Sequence, residues 1–461
     1  MRPAHTTPAN DSASSARLAQ FVADLQFDDL PPAVVQRTEE LLLDWFGSAL
    51  AGKGARPVES IARFAQRMSA TQGTAQVLTS RQNLSPYFAA MVNAAASHFI
   101  EQDDVHNASV FHPAAVVFPP VLAVAQTLGS TGKEIILASV AGYEVGIRIG
   151  EFLGRSHYTI FHTTGTVGTV AAAAAVAKLL RLDATQCLDA LGSAGTQAAG
   201  LWEFLRDAAD SKQLHTAHAA GAGLMAAYLA KDGFKGAQHI LEGPQGMAAG
   251  MTQQSFPEKL CAELGERWAT LEVSFKYHAS CRHTHPAADA LLKAMQSNKL
   301  QAADIESIDA YVHQGAIDVL GPVTNPSTIH QAKFSMGTVL GLIASRGGAS
   351  VVDFDEAAFD DEVIDIRERV TMHLDEEVDG AYPKQWIGKV TVHTRAGKSY
   401  NAKVLEPKGD PGNTLSRAEI EEKVHTLARF TQAATPAEVD QAIEQVWQLT
   451  QCSQFNGFFS S

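Results

Sequence analysis

Four short stretches gather most of the histidine, lysine and acid that could do chemistry together, and their residue types suit proton transfer beside a carboxylate. The first is Glu101-Gln102-Asp103-Asp104-Val105-His106-Asn107-Ala108-Ser109-Val110-Phe111-His112-Pro113. It lies between an Ala-rich apolar run, residues 89–96, and a second apolar run. That is the setting of a functional loop on a rigid scaffold; an acidic surface loop with capping Asp and Asn is the plainer alternative. His112-Pro113 would sit near a helix start, where backbone N–H groups favour anions. The second stretch, Phe161-His162-Thr163-Thr164-Gly165-Thr166-Val167-Gly168-Thr169, puts a histidine and hydroxyls ahead of an apolar helix. Its glycines are wrongly spaced for a dinucleotide loop and no strand precedes them. A helix N-terminus receiving a carboxylate beside His162, or an ordinary threonine cap, fits instead.

The third stretch, Asp210-Ser211-Lys212-Gln213-Leu214-His215-Thr216-Ala217-His218, opens a long Ala-rich helix. Lys212 could neutralise a carboxylate, or the enediolate formed when a neighbouring C–H loses its proton; otherwise it is a solvated lysine. The fourth, Phe275-Lys276-Tyr277-His278-Ala279-Ser280-Cys281-Arg282-His283-Thr284-His285-Pro286, is the densest basic and nucleophilic cluster. Zinc at His283 and His285 would need further ligands that no recognisable motif supplies, so no metal is expected. Cys281, beside Arg282 and His283, could be a low-pKa nucleophile, but a small buried cysteine is the commoner reading.

These clusters need a large scaffold. The 461 residues, 46% hydrophobic and 19% charged, can bury an extensive core and predict two domains. A formal charge of -14 argues against wrapping nucleic acid or coating an anionic membrane, while leaving room for a basic cleft. Four scattered cysteines and the lack of an apolar leader predict a cytoplasmic protein, and residues 1–16 read as a flexible tail. Residues 17–271 show helical periodicity, with helices over 33–50, 139–153, 165–180 and 217–231. Residues 272–407 change texture: 305–313, 389–394 and 399–404 alternate as strands, Arg395-Ala396-Gly397-Lys398 is a hairpin turn, and 286–295 and 335–345 are helical. Helices return over 416–430 and 436–449. The expected fold is mainly α: a large all-α domain, residues 17–271 plus 408–461, with an inserted smaller α+β lid domain, residues 272–407.

In this order, the segments resemble those of the MmgE/PrpD family, which includes 2-methylcitrate dehydratase, cis-aconitate decarboxylase and iminodisuccinate epimerase. The specific marks are His98-x4-Asp103-Asp104 with His112-Pro113; Phe161-His162-x5-Gly168-Thr169; Lys212-x-Leu214-His215-x3-Ala219-Ala220; and Phe275-Lys276 leading to Thr284-His285. The resemblance runs from about Leu18 to the C-terminus. It implies a helical domain with an inserted lid, a homodimer, and an active site between the domains. By motif, the catalytic positions would be Asp104, His112, His162, Lys212, Lys276 and His285, with Thr163, Cys281, Arg282 and His283 binding substrate. No cofactor is implied.

Two departures stand out. Many relatives read Asp-Phe-Asp-Asp-Thr where this chain has Glu101-Gln102-Asp103-Asp104-Val105, and cis-aconitate decarboxylases carry a histidine where this chain has Cys281. Both weigh against decarboxylation. The expectation is therefore a metal-independent lyase on a small di- or tricarboxylic acid, first a 2-methylcitrate dehydratase-like hydro-lyase. A dicarboxylate epimerase comes second and a cis-aconitate decarboxylase-like enzyme third. His162 or His112 would be base or acid, and the lysines would hold carboxylates. A non-catalytic helical dimer that binds a metabolite is the alternative from another class.

Overall fold

The computed structural model describes residues 14–69, 73–207 and 209–459, and it is mainly α-helical. The expected tail does not extend to residue 16, because helix Ser14–Asp24 includes Ser14 to Ala16, with Ser15 buried; residues 1–13 lie outside the described residues. Local sequence sets most helix ends. Thr131 and Glu134 form a reciprocal capping box at the start of Gly132–Tyr158, and Asp183 with Gln186 does the same for Ala184–Gly195. Ser416–Glu419 and Thr435–Glu438 start Arg417–Thr431 and Pro436–Trp447 in the same way.

The centre of the larger hydrophobic cluster is built from small residues. Helix Thr163–Leu179 packs between Gly132–Tyr158 and Ser211–Lys231, and Pro86–Phe99 packs on the last of these. A Cβ at Gly223 would lie 2.5 Å from the Ala172 Cβ, and one at Gly142 would lie 2.8 Å from the Ala175 Cβ. The helices approach to a distance that only glycine on one side and alanine on the other permit. The helix expected to stop at residue 153 continues to Tyr158 through a kink at Gly154, whose φ of 67° departs from helical geometry. Helices Arg417–Thr431 and Pro436–Trp447 return to pack on Pro32–Leu50.

A second hydrophobic cluster draws mostly on residues 279–392. Its sheet has the order Val370–Leu374, Ile305–Val312, Gly388–Thr394, Ser399–Val404; the first pair is parallel and the others antiparallel. Helix His285–Asn298 lies against Gly388–Thr394 and Ser399–Val404, and the strict alternation of burial along Gly388–Thr394 follows from one face being covered. The all-α description of residues 17–271 needs correction in two places. Ala75–Gln76 pairs with Asn83–Leu84, and Val105–His106 pairs with Val273–Ser274. The second pair joins the first sequence cluster directly to the fourth.

Candidate active site

That short ladder, followed by a hydrogen bond from Phe275 N–H to Gly409 O at 2.9 Å, delivers Lys276 to the first loop. Lys276 is fully buried, and its Nζ lies 2.8 Å from Glu101 Oε2. Lys212, arriving from the first turn of Ser211–Lys231, holds the other oxygen, Glu101 Oε1. Burial alone would raise the Glu101 carboxyl, but Lys212 and Lys276 outweigh it and hold it well below the usual carboxylate range. Glu101 adopts a left-handed backbone, φ 63°, which lets its side chain meet both ammonium groups. A third lysine, Lys333, donates to Ile100 O at 2.9 Å; burial brings its pKa down to about 8.

The histidines lie beside the lysines. His112 Nδ1 donates to the backbone carbonyl of Asp104 at 2.6 Å, so its proton sits on Nδ1 and Nε2 carries the lone pair. His162 caps Thr163–Leu179; its Nδ1 lies 3.2 Å from His215 Nδ1, and its buried Nε2 has no hydrogen-bond partner among the described residues. The ring stacks on His98, with centroids 5.4 Å apart, and His98 in turn binds Asp103 at 2.6 Å. Burial pushes His112 and His162 well below the ordinary histidine pKa, with Lys212 and Lys276 adding to it at His112, and His98 and His215 at His162. Both rings are therefore neutral near pH 7, next to charged ammonium groups.

Seven of the ten sequence-selected residues line one small cavity: His112, His162, Lys212, Lys276, Cys281, Arg282 and His283. Glu101, Tyr158, Trp202 and Phe334 complete much of its wall. The three others are buried but do not line it. Asp104 accepts from Tyr143 Oη at 2.7 Å and from Ala114 N–H at 3.0 Å, so the helix N-terminus expected to receive a ligand anion holds the chain's own carboxylate. His285 is held by Ser280 O at 3.3 Å, and Thr163 gives its carbonyl to the Thr166 hydroxyl at 3.3 Å. Cys281 is buried and pushed up to about 11 by that burial, so it is a thiol, not a thiolate nucleophile. Arg282 is neutralised by Asp410, which also accepts from Ser274 Oγ at 2.7 Å.

The residues missed from sequence carry weak signals. Glu101 was one acid among three, and Trp202, Phe334 and Lys333 fall outside every titratable cluster. The space between the lining side chains is about 20 Å³, room for little more than a water, so admitting an acid requires the wall to move. His98, Asp103 and His112 place ligand-type atoms within 4.8 Å of one another. Both histidine Nδ1 atoms are already hydrogen-bonded, while His98 Nε2 and Asp103 Oδ1 are buried without a hydrogen-bond partner among the described residues. No helix among the described residues is long and apolar enough to cross a membrane.

Comparison with known proteins places this geometry. Residues 16–259 match the MmgE/PrpD N-terminal domain and residues 278–449 the MmgE/PrpD C-terminal domain. The chain is 28% identical over 444 residues to cis-aconitate decarboxylase of Aspergillus terreus (strain NIH 2624 / FGSC A1156), covering 90% of this chain and 89% of that one. It is 28% identical to cis-aconitate decarboxylase-like protein oryM of Aspergillus oryzae, covering 90% of each. It is 25% identical over 350 residues to the Homo sapiens cis-aconitate decarboxylase, covering 73% and 72%. With domain matches on both halves and the lysines, histidines and acid of its four motifs converging on one buried cavity, the chain belongs to the MmgE/PrpD family.

Proposed function

We propose that this chain is a carbon–carbon lyase that removes CO2 from a small unsaturated polycarboxylic acid of the cis-aconitate type. The observation that carries the reading is the convergence of Lys212 and Lys276 with neutral His112 and His162 in one water-poor cavity, in a chain similar to cis-aconitate decarboxylases over most of its length. Loss of CO2 breaks a C–C bond and leaves its electron pair delocalised over the adjacent double bond and carboxylate. Ammonium groups in a desolvated site stabilise that charge far better than water does. A proton then enters at the far end of the allylic system, and the double bond shifts. His162, with its unpartnered Nε2, is the proposed donor. It takes up its proton as the polyanion arrives, since an anion beside an imidazole raises its pKa.

The sequence reading placed the hydro-lyase first; similarity to proteins named cis-aconitate decarboxylase favours decarboxylation instead. Dehydration keeps one supporting observation, the fixed tautomer of His112, whose bare Nε2 suits abstraction of an α-proton. Proton NMR in D2O with cis-aconitate, citrate and 2-methylcitrate separates the two. Decarboxylation gives CO2 and a product carrying one solvent-derived deuterium; alkene formed from a hydroxy acid without CO2 would replace the proposal with a hydro-lyase. His162→Asn should lower kcat by about 10²- to 10⁴-fold with the circular dichroism unchanged.

A further inference from the structure

A second, larger cavity of about 690 Å³ lies directly outside the catalytic one, and the two share Tyr158, Trp202, Val319 and Phe334. These four side chains therefore form a partition with a closed, charged chamber on one side and a roomy vestibule on the other. The vestibule's chemistry is the opposite of the inner chamber's. Ile160 and Leu201, each 56% exposed, project on its rim, and Trp202, Phe204 and Tyr382 add aromatic surface. Ile160 and Leu201 are fixed in place: Trp202 N–H donates to Ile160 O at 3.1 Å, and Phe161 bridges to Leu201.

The two arginines around the vestibule each face an acid, and Asp318 adds a carboxylate with no ion-pair partner among the described residues. Arg155 lies 3.4 Å from Asp379, and Arg206 lies 3.3 Å from Glu203. His330, lowered to about 4 by burial, is neutral at physiological pH. An additional carboxylate would find no unpaired cation among the residues lining this cavity, whereas an uncharged hydrocarbon would cover apolar surface now facing water.

Resting on the carboxylate-lyase reading above, we propose that the vestibule is a subsite for an apolar arm of the substrate. The acid head passes the Trp202–Phe334 partition to reach Lys212 and Lys276, and an alkyl tail stays outside against Ile160 and Leu201. The preferred substrate is then an alkyl-substituted unsaturated acid, and binding of the tail helps to open the partition and orient the head.

The test is titration calorimetry of the full chain with succinate and its 2-methyl, 2-butyl and 2-octyl derivatives. Kd should fall about fourfold for each added methylene until the vestibule is filled. Ile160→Asp and Leu201→Asp, both at exposed positions, should flatten that dependence while leaving the Kd of succinate within twofold. Tight succinate binding without a chain-length dependence would overturn the subsite and leave the lyase reading standing. A chain-length dependence unchanged in both variants would also overturn it, because the tail would lie elsewhere. Failure of every acid to bind, together with no turnover of cis-aconitate, would remove the lyase reading and the subsite with it.

Discussion

Glu101 holds two lysines, whereas each lysine has Glu101 as its carboxylate, and that asymmetry sets the outcome of a double-mutant cycle. Glu101→Gln leaves Lys212 and Lys276 buried without a counter-charge; breaking a buried pair in this way costs about 3–5 kcal/mol. Lys276→Met leaves Glu101 still paired with Lys212, so the loss is close to one charged hydrogen bond, about 1.5–3 kcal/mol. In the double variant the second change removes a charge that the first had stranded. Adding Lys276→Met to Glu101→Gln should therefore cost nothing or restore stability, a coupling of about 1.5 kcal/mol or more. Urea unfolding followed by circular dichroism, with equal m values across the four proteins, measures it. Strictly additive losses, or a Lys276→Met as damaging as Glu101→Gln, would refute the shared-carboxylate geometry.

Acid should destabilise the fold early. Burial lowers the pKa values of His98, His112, His162, His283 and His285, so the unfolded chain takes up protons below about pH 6.5 that the folded one refuses. Stability is full above that pH and falls as pH drops, by up to about 1.4 kcal/mol per histidine for each unit between the unfolded and folded pKa values. Urea midpoints at pH 7.5 and 5.5 check the sign, and equal midpoints would show that these rings are not buried neutral. Iodoacetamide at pH 7.5 should spare Cys281, a buried thiol with its pKa near 11, while labelling the half-buried Cys452; mass spectrometry locates the label. Gly223→Ala brings a methyl group against Ala172 and the Thr169 carbonyl, and should lower stability by about 1–3 kcal/mol in the same urea assay.

Most of the helices were legible because they carry their own boundary: a capping box, a proline in the first turn, or a glycine beyond the last. Strands Ile305–Val312, Gly388–Thr394 and Ser399–Val404 were legible from alternation. Val370–Leu374 was not, since it has no fully buried position and it pairs in parallel with a strand some sixty residues earlier. Histidine and lysine clusters gave most of the cavity wall because titratable side chains are costly to bury without a task. Composition could not rank Glu101, Asp103 and Asp104. Their roles diverge through backbone direction, the left-handed turn at Glu101 aiming it at the lysines while Asp104 caps the next helix. Trp202 and Phe334 matter by where they stand between two cavities, which no local pattern encodes.

The ladder of Val105–His106 with Val273–Ser274 spans about 170 residues of chain, and closing a loop of that length costs roughly 4.5 kcal/mol in entropy before any constant term. At about 1 kcal/mol net per hydrogen bond, a two-residue ladder does not offset it. The clasp therefore forms only after helix packing has already brought its ends together. During synthesis, Glu101 and Lys212 emerge well before Lys276, so the nascent chain carries Glu101 with its Oε2 still lacking an ammonium partner until residues 273–276 arrive. Assembly of the charge cluster thus reports completion of folding: a chain truncated before residue 273 keeps its helix-forming signals yet lacks the second ammonium group that binds Glu101.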